Sequence, residues 1–361
     1  MGKAKIPSEK ALMEIKKLKI KTTVAVVGFS ALIILLVLLL FIVNNAMRAY
    51  NAIGTIDYNP QTVTLTEEEI EQVKQLDVDE TLSNSDTADV TTAESEMDEF
   101  LAAEIPHTVA YDDIINVLLI GTDKKDEDEI SRSDSMMLLT IDKKAGKIKL
   151  TSFMRDMYIS IPGYGYDKLN SAFAYGGGEL LLQTINKNLK VNIEKYACID
   201  FSLFASLIDD LGGLYLDVKP NYLQQINKYA GKNHQVEKAG LQHLDGRQVL
   251  AFCRIRKIDS DVQRTERQRM VMKGIFAKVK SASLTELTDM VTKSMPQVRT
   301  NLTEDEIKDL MFLLPSVRNY DINEMRVPID GTWSDLVINK IWYVDFNRQT
   351  NAKALGEFIS G

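Results

Sequence analysis

"INVLLIGTD", residues 115–123, is a short apolar run, rich in β-forming residues, that stops abruptly at Gly121, Thr122 and Asp123. A run of that length closed by a turn signal reads as a strand, and it opens the folded part of the chain. Downstream, "DSMMLLTIDKKAGKIKLTSFMRDMYISIPG" (134–163) sets two apolar runs around a Lys-Lys-Ala-Gly turn, the pattern of a hairpin. Helical periodicity follows in "GELLLQTINKNLK" (178–190), "FSLFASLIDDLGG" (201–213), "DGRQVLAFCR" (245–254) and "VQRTERQRMVMKGIFAKVK" (262–280), with a strand at "GLYLDVKP" (213–220). Strands mixed with helices of that length predict an α/β domain, a layered mixed sheet flanked by helices.

Upstream, seven lysines between Lys3 and Lys21 precede "TTVAVVGFSALIILLVLLLFIV", uncharged from Thr22 to Val43. That length matches a single transmembrane helix, and the lysine flank places residues 1–21 in the cytoplasm and the rest of the chain outside the cell membrane. The run exceeds the apolar stretch of a cleaved signal peptide, so 22–43 reads as a signal anchor. Residues 44–111 are then an acidic, self-repelling spacer, in which the periodicity near Glu67–Leu76 permits one short helix. No spaced Asp loop closing on a Glu marks a calcium site there. The α/β domain is expected over 112–282, and 283–361 as a C-terminal extension packing on it, with two strands and a final helix near its end. Trp333 and Trp342 read as packing residues.

The chain of 361 residues carries a formal net charge of −8, which argues against nucleic acid as a partner. Yet five of its thirteen arginines, Arg254, Arg256, Arg264, Arg267 and Arg269, fall in sixteen residues. Arginine in place of lysine suggests a planar donor fork aimed at phosphate or carboxylate, and a solvated helix face with Glu266 as partner is the alternative. On a helix Arg264 and Arg267 share a face and Gln268 lies beside Arg264, while an extended "CRIRK" sends Arg254 and Arg256 the same way. Arg269 points elsewhere, into solvent. Asp123 ends one strand and Asp134, eleven residues on, begins the next; two carboxylates at adjacent strand ends can converge on a hard cation. Each is also an ordinary turn or cap residue when read alone. Arg132 and Arg155 flank that pair, with Glu129 an alternative partner for Arg132.

Other chemistries lack their residues. There is no Gly-x-x-x-x-Gly-Lys-Ser/Thr loop, and Gly176–Gly178 fit a helix-starting turn. No Gly-x-Ser-x-Gly elbow occurs, and His107, His234 and His243 stand beside no nucleophile, reading as surface or turn residues. Two cysteines, Cys198 and Cys253, make a thiolate zinc site untenable. They read as buried thiols, or as one disulfide if the domain is outside the cell.

Taken in order, "LLIGTD", "RSDSMMLLTID", "SFMRDMYISIPG", "KLNSAFAYGG", "IDDLGGLYLDV", "LDGRQVLAFCRIR" and "DVQRTERQR" resemble the LytR-CpsA-Psr family of membrane-anchored enzymes that attach glycopolymers to bacterial cell walls, over about Asn116–Lys280. The resemblance implies a phosphotransferase that moves a glycopolymer with its phosphate from a polyprenyl-pyrophosphate carrier to a peptidoglycan acceptor. It implies that Asp123 and Asp134 bind a divalent cation, magnesium or manganese. Arg132, Arg155, Arg254, Arg256, Arg264 and Arg267 would hold the pyrophosphate, Lys168 would join them with Asn170 in support, and Gln268 matches a polar position after the last arginine. The family often has Gln where this chain has Arg269. The lipid tail would lie in an apolar channel, with "FSLFASLI" and "VLAFC" as candidate walls. A binding module that retains such a lipid or an anionic polymer without turnover is the rival expectation.

Overall fold

The computed structural model describes residues 66–75, 77–79, 91–103, 113–122, 131–256, 258, 260–281, 298–303, 306, 310, 313 and 320–361. The lysine-rich tail, the apolar run 22–43, His107 and Asp123 lie outside the described residues. Among those described, no helix is long and apolar enough to cross a membrane.

The opening stretch forms β1 (Ile114–Thr122), near the middle of a six-stranded mixed sheet. It pairs antiparallel with β2 (Ser133–Asp142) and parallel with β6 (Lys195–Asp200). Its apolar residues run without alternation because both faces of the sheet are covered. Val117 packs on one face with Met137, Leu139 and Ala197, while Leu118 and Ile120 pack on the other with Met136, Leu138 and Cys198. β2 returns as β3 (Lys147–Phe153) through Lys143–Gly146. There Gly146 takes a positive φ of 64° and the Asp142 carboxylate accepts the Ala145 N–H at 2.7 Å, so the turn has the chemistry its sequence signals.

On the first face lie α4 (Phe201–Asp210), α5 (Leu223–Ala230), α6 (Gly246–Arg254) and α7 (Asp261–Ser281), with the ribbon β7 (Leu214–Val218) and β8 (Gly240–Leu244). The second face is covered by α3 (Leu169–Leu189), the ribbon β4 (Tyr158–Ile161) and β5 (Gly165–Lys168), and α8 (Arg348–Ser360). α4 and α6 cross closely because residue 246 is glycine: a Cβ there would stand 1.9 Å from the Ala205 carbonyl oxygen. Gly176 and Gly177 kink α3, and the expected helix at 178–190 is its second half. The result is the layered α/β arrangement the periodicity predicted.

Three expectations change. The acidic segment is not spacer throughout: α1 (Glu67–Gln75) forms where the periodicity allowed, but α2 (Thr91–Ala102) forms too. Val73 and Met97 are buried against the domain, an apolar gain that outweighs the self-repulsion of the surrounding carboxylates. The C-terminal region supplies three strands near its end, β10 (Asp321–Val327), β11 (Trp333–Ile338) and β12 (Ile341–Phe346), before α8. Of these β10 joins the main sheet parallel to β3, and β9 (Arg299–Thr300) pairs with β6, giving the order β10–β3–β2–β1–β6–β9. Finally, Cys253 and Arg254 of "CRIRK" are helical and not extended, since Arg254 is the last residue of α6, whose start is fixed by a capping box between Asp245 and Gln248.

Candidate active site

Register places the site. Thr122, the last residue of β1, pairs with Ser133 at the start of β2 and with Asp200 at the end of β6. The carboxyl ends of two parallel strands and the start of an antiparallel one therefore meet at one edge, a crevice where open α/β sheets bind ligands. Asp134 lies on that edge and Asp123 follows β1 directly.

Arg155, just after β3, donates from Nη1 to Asp134 Oδ1 and from Nε to Asp156 Oδ2 at 3.3 Å. Burial works against its charge, but Asp156, Asp134 and Asp261 outweigh it and hold the guanidinium pKa above its usual value. Asp156 is 2% exposed. Burial alone would raise its carboxyl; Arg155 and Lys168 reverse this and hold it down at about 2. Lys168, the last residue of β5, reaches Asp156 at 3.0 Å and Asp77 at 3.3 Å, and its Nζ stands 5.7 Å from the centre of the Tyr343 ring. Arg132 joins the same network from the start of β2, pairing with Asp77 at 2.8 Å. Glu129 lies outside the described residues. Asn170 is buried as the second residue of α3, its N–H on the Arg155 carbonyl at 3.1 Å, and its side-chain oxygen has no hydrogen-bond partner among the described residues.

The first turns of α7 bring the remaining arginines. Arg264 is 3% exposed and ion-pairs with Asp261 at 2.6 Å. Burial presses the Asp261 carboxyl pKa up, and burial together with Arg155 presses the Arg264 guanidinium down. Arg267 shares that face, as expected, but points into the first-face core. Its Nε donates to the Phe252 carbonyl at 3.1 Å, its Nη2 to that of Ile255 at 2.5 Å, and its guanidinium lies 5.1 Å from the Tyr222 ring. It thereby satisfies carbonyls at the C-terminus of α6. Arg254 is exposed between the rings of Phe201 and Tyr229, at 5.0 and 5.9 Å, and Arg256 is exposed two residues on. Arg269 does not point into solvent; β10 places Glu324 3.2 Å from its Nε.

Beside Arg254, whose guanidinium faces the ring of Phe201, opens an apolar pocket. Sheet residues Leu119, Gly121 and Met137, Phe201 and Phe204 of α4, and Met272 of α7 are among its walls. Cys253 and Gln268 also line it, so both expected channel segments contribute. At position 121 a Cβ would stand 3.2 Å from Ser135 Cβ, so glycine keeps this wall open. Cys198 and Cys253 form no disulfide, Cys198 Sγ accepts from Arg299 Nη2 at 3.5 Å, and burial pushes the Cys253 thiol up to about 12.

The structure thus gathers Arg132, Asp134, Arg155, Lys168, Asn170 and Arg264 at one edge, with Arg256 near Asp261 and Arg264, Arg254 and Gln268 at the pocket, and Arg267 committed to support. Sequence reasoning missed Asp77, Asp156 and Asp261. The last two stand inside the quoted motifs, each within three residues of a chosen arginine, and the need of a buried guanidinium for a carboxylate would have found them. Asp77 belongs to an acidic run in which nothing sets it apart.

Comparison with known proteins agrees with this architecture. The model of the LytR_cpsA_psr family matches residues 73–357, well beyond the 116–280 that carry the motifs. Relatives include TagT of Bacillus subtilis (strain 168), a polyisoprenyl-teichoic acid–peptidoglycan teichoic acid transferase, 33% identical over 242 residues, 66% of this chain and 73% of that protein. The regulatory protein MsrR of Staphylococcus aureus (strain COL) is 33% identical over 254 residues, 70% of this chain and 76% of its own. Among solved structures, TagT bound to LI-WTA aligns with a TM-score of 0.58 at 30% identity, over 69% of this chain and 90% of that one. YwtF (TagT) with bound octaprenyl pyrophosphate lipid aligns with 0.55 at 28%, over 69% and 89%.

Proposed function

Because this chain belongs to the LytR-CpsA-Psr family, we propose that it transfers a glycopolymer, with its phosphate, from a polyprenyl-pyrophosphate carrier to peptidoglycan. The observation that carries this reading is an apolar pocket with arginines at its rim. Arg254 stands 5.0 Å from the ring of Phe201, which lines the pocket, and Gln268 lines it one turn beyond Arg264. A ligand with an apolar tail and an anionic head suits both halves, and the relatives' ligands, octaprenyl pyrophosphate and LI-WTA, supply a precedent.

The acceptor hydroxyl oxygen attacks the phosphorus bonded to the sugar. A new P–O bond forms, the bond to polyprenyl phosphate breaks, and that phosphate leaves with the electron pair while the hydroxyl proton passes to solvent. Arg155, Arg254, Arg256 and Arg264 stabilise charge on the phosphoryl oxygens, with Arg132 and Lys168 on the pyrophosphate. Asn170 supports the cations and does not touch the phosphate through its unpartnered amide oxygen, which is an acceptor, and Gln268 bridges head and tail. Arg267, assigned to the pyrophosphate by resemblance, acts instead by fixing the end of α6 that carries Arg254. Asp134, with Asp123, would hold magnesium or manganese. The buried Thr122 Oγ1 and Ser133 Oγ beside it have no partner among the described residues, and such oxygens suit a hard cation, which would share Asp134 with Arg155. Such an ion would neutralise phosphate charge.

Residues 22–43 anchor the protein in the cell membrane in this reading, with the site outside, close to a lipid that cannot leave the bilayer. The test uses the full chain in detergent with a polyprenyl-pyrophosphate glycan, wall fragments and magnesium. Polyprenyl phosphate should be released, and Arg155→Ala should slow release by roughly 100-fold. Tight lipid retention without release, where a relative such as TagT turns over, would reassign the protein as a binding module.

A further inference from the structure

Two cations that the reading above places on the pyrophosphate converge on a single oxygen that comes from neither the sheet nor the helices around it. Arg132 Nη1 stands 2.8 Å and Lys168 Nζ 3.3 Å from Asp77 Oδ1. Asp77 lies two residues after α1, and that segment is bound to the domain at several points. Val73 is 2% exposed and packs in the second-face core, and its carbonyl accepts from Arg132 Nη2. Val78 bridges to Ile341, and the Asp79 N–H donates to the Lys340 carbonyl at 2.9 Å.

We propose that Asp77 is a positioning residue for this phosphate site, holding Lys168 and Arg132 in the geometry that receives the pyrophosphate. The inference rests on the reading of the site in the previous section. Arg and Lys have long side chains that lose much rotamer freedom when ordered, and a shared carboxylate orders them before the ligand arrives. Without it, Lys168 keeps only the Asp156 carboxylate, which already serves Arg155, so two cations would share one buried carboxylate, and Arg132 would keep only the Val73 carbonyl. A carboxylate that merely fills the site until phosphate displaces it would sit on a detachable strap. Here Val73 burial, the Val78 bridge and the Asp79 bond fasten the segment on both sides of Asp77.

The test is binding of geranyl pyrophosphate to the full chain, together with KM and kcat for polymer transfer. The variants are Asp77→Asn, Asp77→Ala and Asp77→Glu, with Arg155→Ala as the control. Asp77→Asn and Asp77→Ala should weaken binding and raise KM roughly tenfold with a smaller change in kcat, as loss of a charged hydrogen-bond partner does. Asp77→Glu should recover much of the loss, and the thermal midpoint of the near-isosteric Asp77→Asn should stay close to that of the native chain. Binding unchanged or tightened in Asp77→Asn, with Arg155→Ala still weakening it, would overturn the proposal and leave the proposed function standing. If Arg155→Ala has no effect either, the phosphate reading falls and the role of Asp77 falls with it.

Discussion

Asp156 is the most enclosed carboxylate of the site and the one on which its pH tolerance turns. Its folded pKa of about 2 lies below the ordinary 3.8, so its contribution to stability is complete above about pH 4 and is lost as the pH falls toward 2. The shift corresponds to roughly 2 kcal/mol. Asp156→Asn should therefore unfold more readily in urea at pH 7, by about that amount, and should show a flatter stability profile between pH 4 and pH 2. An unchanged profile would mean that Arg155 and Lys168 do not hold the carboxylate as described. At this scale the sequence is legible in one sense only. Arginines stand out in an acidic chain and Arg155, Arg254 and Arg264 were visible, but the partners that fix their geometry are ordinary Asp residues in a chain with 51 acidic side chains.

Single elements are where the sequence spoke most clearly, because the hydrophobic period is a property of consecutive residues. The hairpin, α4, α6, α7 and β7 all lie where their periodicity placed them. The failures occurred where a local pattern met a tertiary demand. "CRIRK" alternates, yet α6 continues through Arg254 because Phe252 must reach the core and Arg267 accommodates the carbonyls at its end. Likewise Arg269 looked solvated because its partner Glu324 is 55 residues away on β10. α7 divides its length between the arginines of its first turns and the pocket residues Gln268 and Met272 beyond them, and that separation is testable. Met272→Trp should fill the pocket and weaken binding of octaprenyl pyrophosphate by at least roughly tenfold, while inorganic pyrophosphate binds as before. Isothermal titration with both ligands decides it; equal losses would mean that the pocket does not receive the tail.

Across the whole molecule the layers are tied by contacts no local pattern announces. Lys149, 2% exposed on β3, bonds Asp142 of β2 at 2.9 Å and the Ile359 carbonyl of α8 at 2.8 Å. Lys149→Met removes one partner of a buried pair and should lower the unfolding free energy by about 3 kcal/mol in urea titration, with two-state behaviour kept. A loss under about 1 kcal/mol would show that the contact contributes little. The α/β class was readable from the alternation of strands and helices, but the membership of β9 and β10 in the sheet was not. Strand pairing depends on partners far along the chain, and the sequence around Asp321–Val327 carries no mark of β3. That distance also governs the order in which the molecule is completed. β3 bonds β2 on one side, and its other edge pairs with a strand about 170 residues later, an interval of roughly ten to thirty seconds of synthesis. Throughout that interval the nascent chain carries an apolar strand with an open edge, so the domain is most prone to aggregate before residues 321–327 have been made.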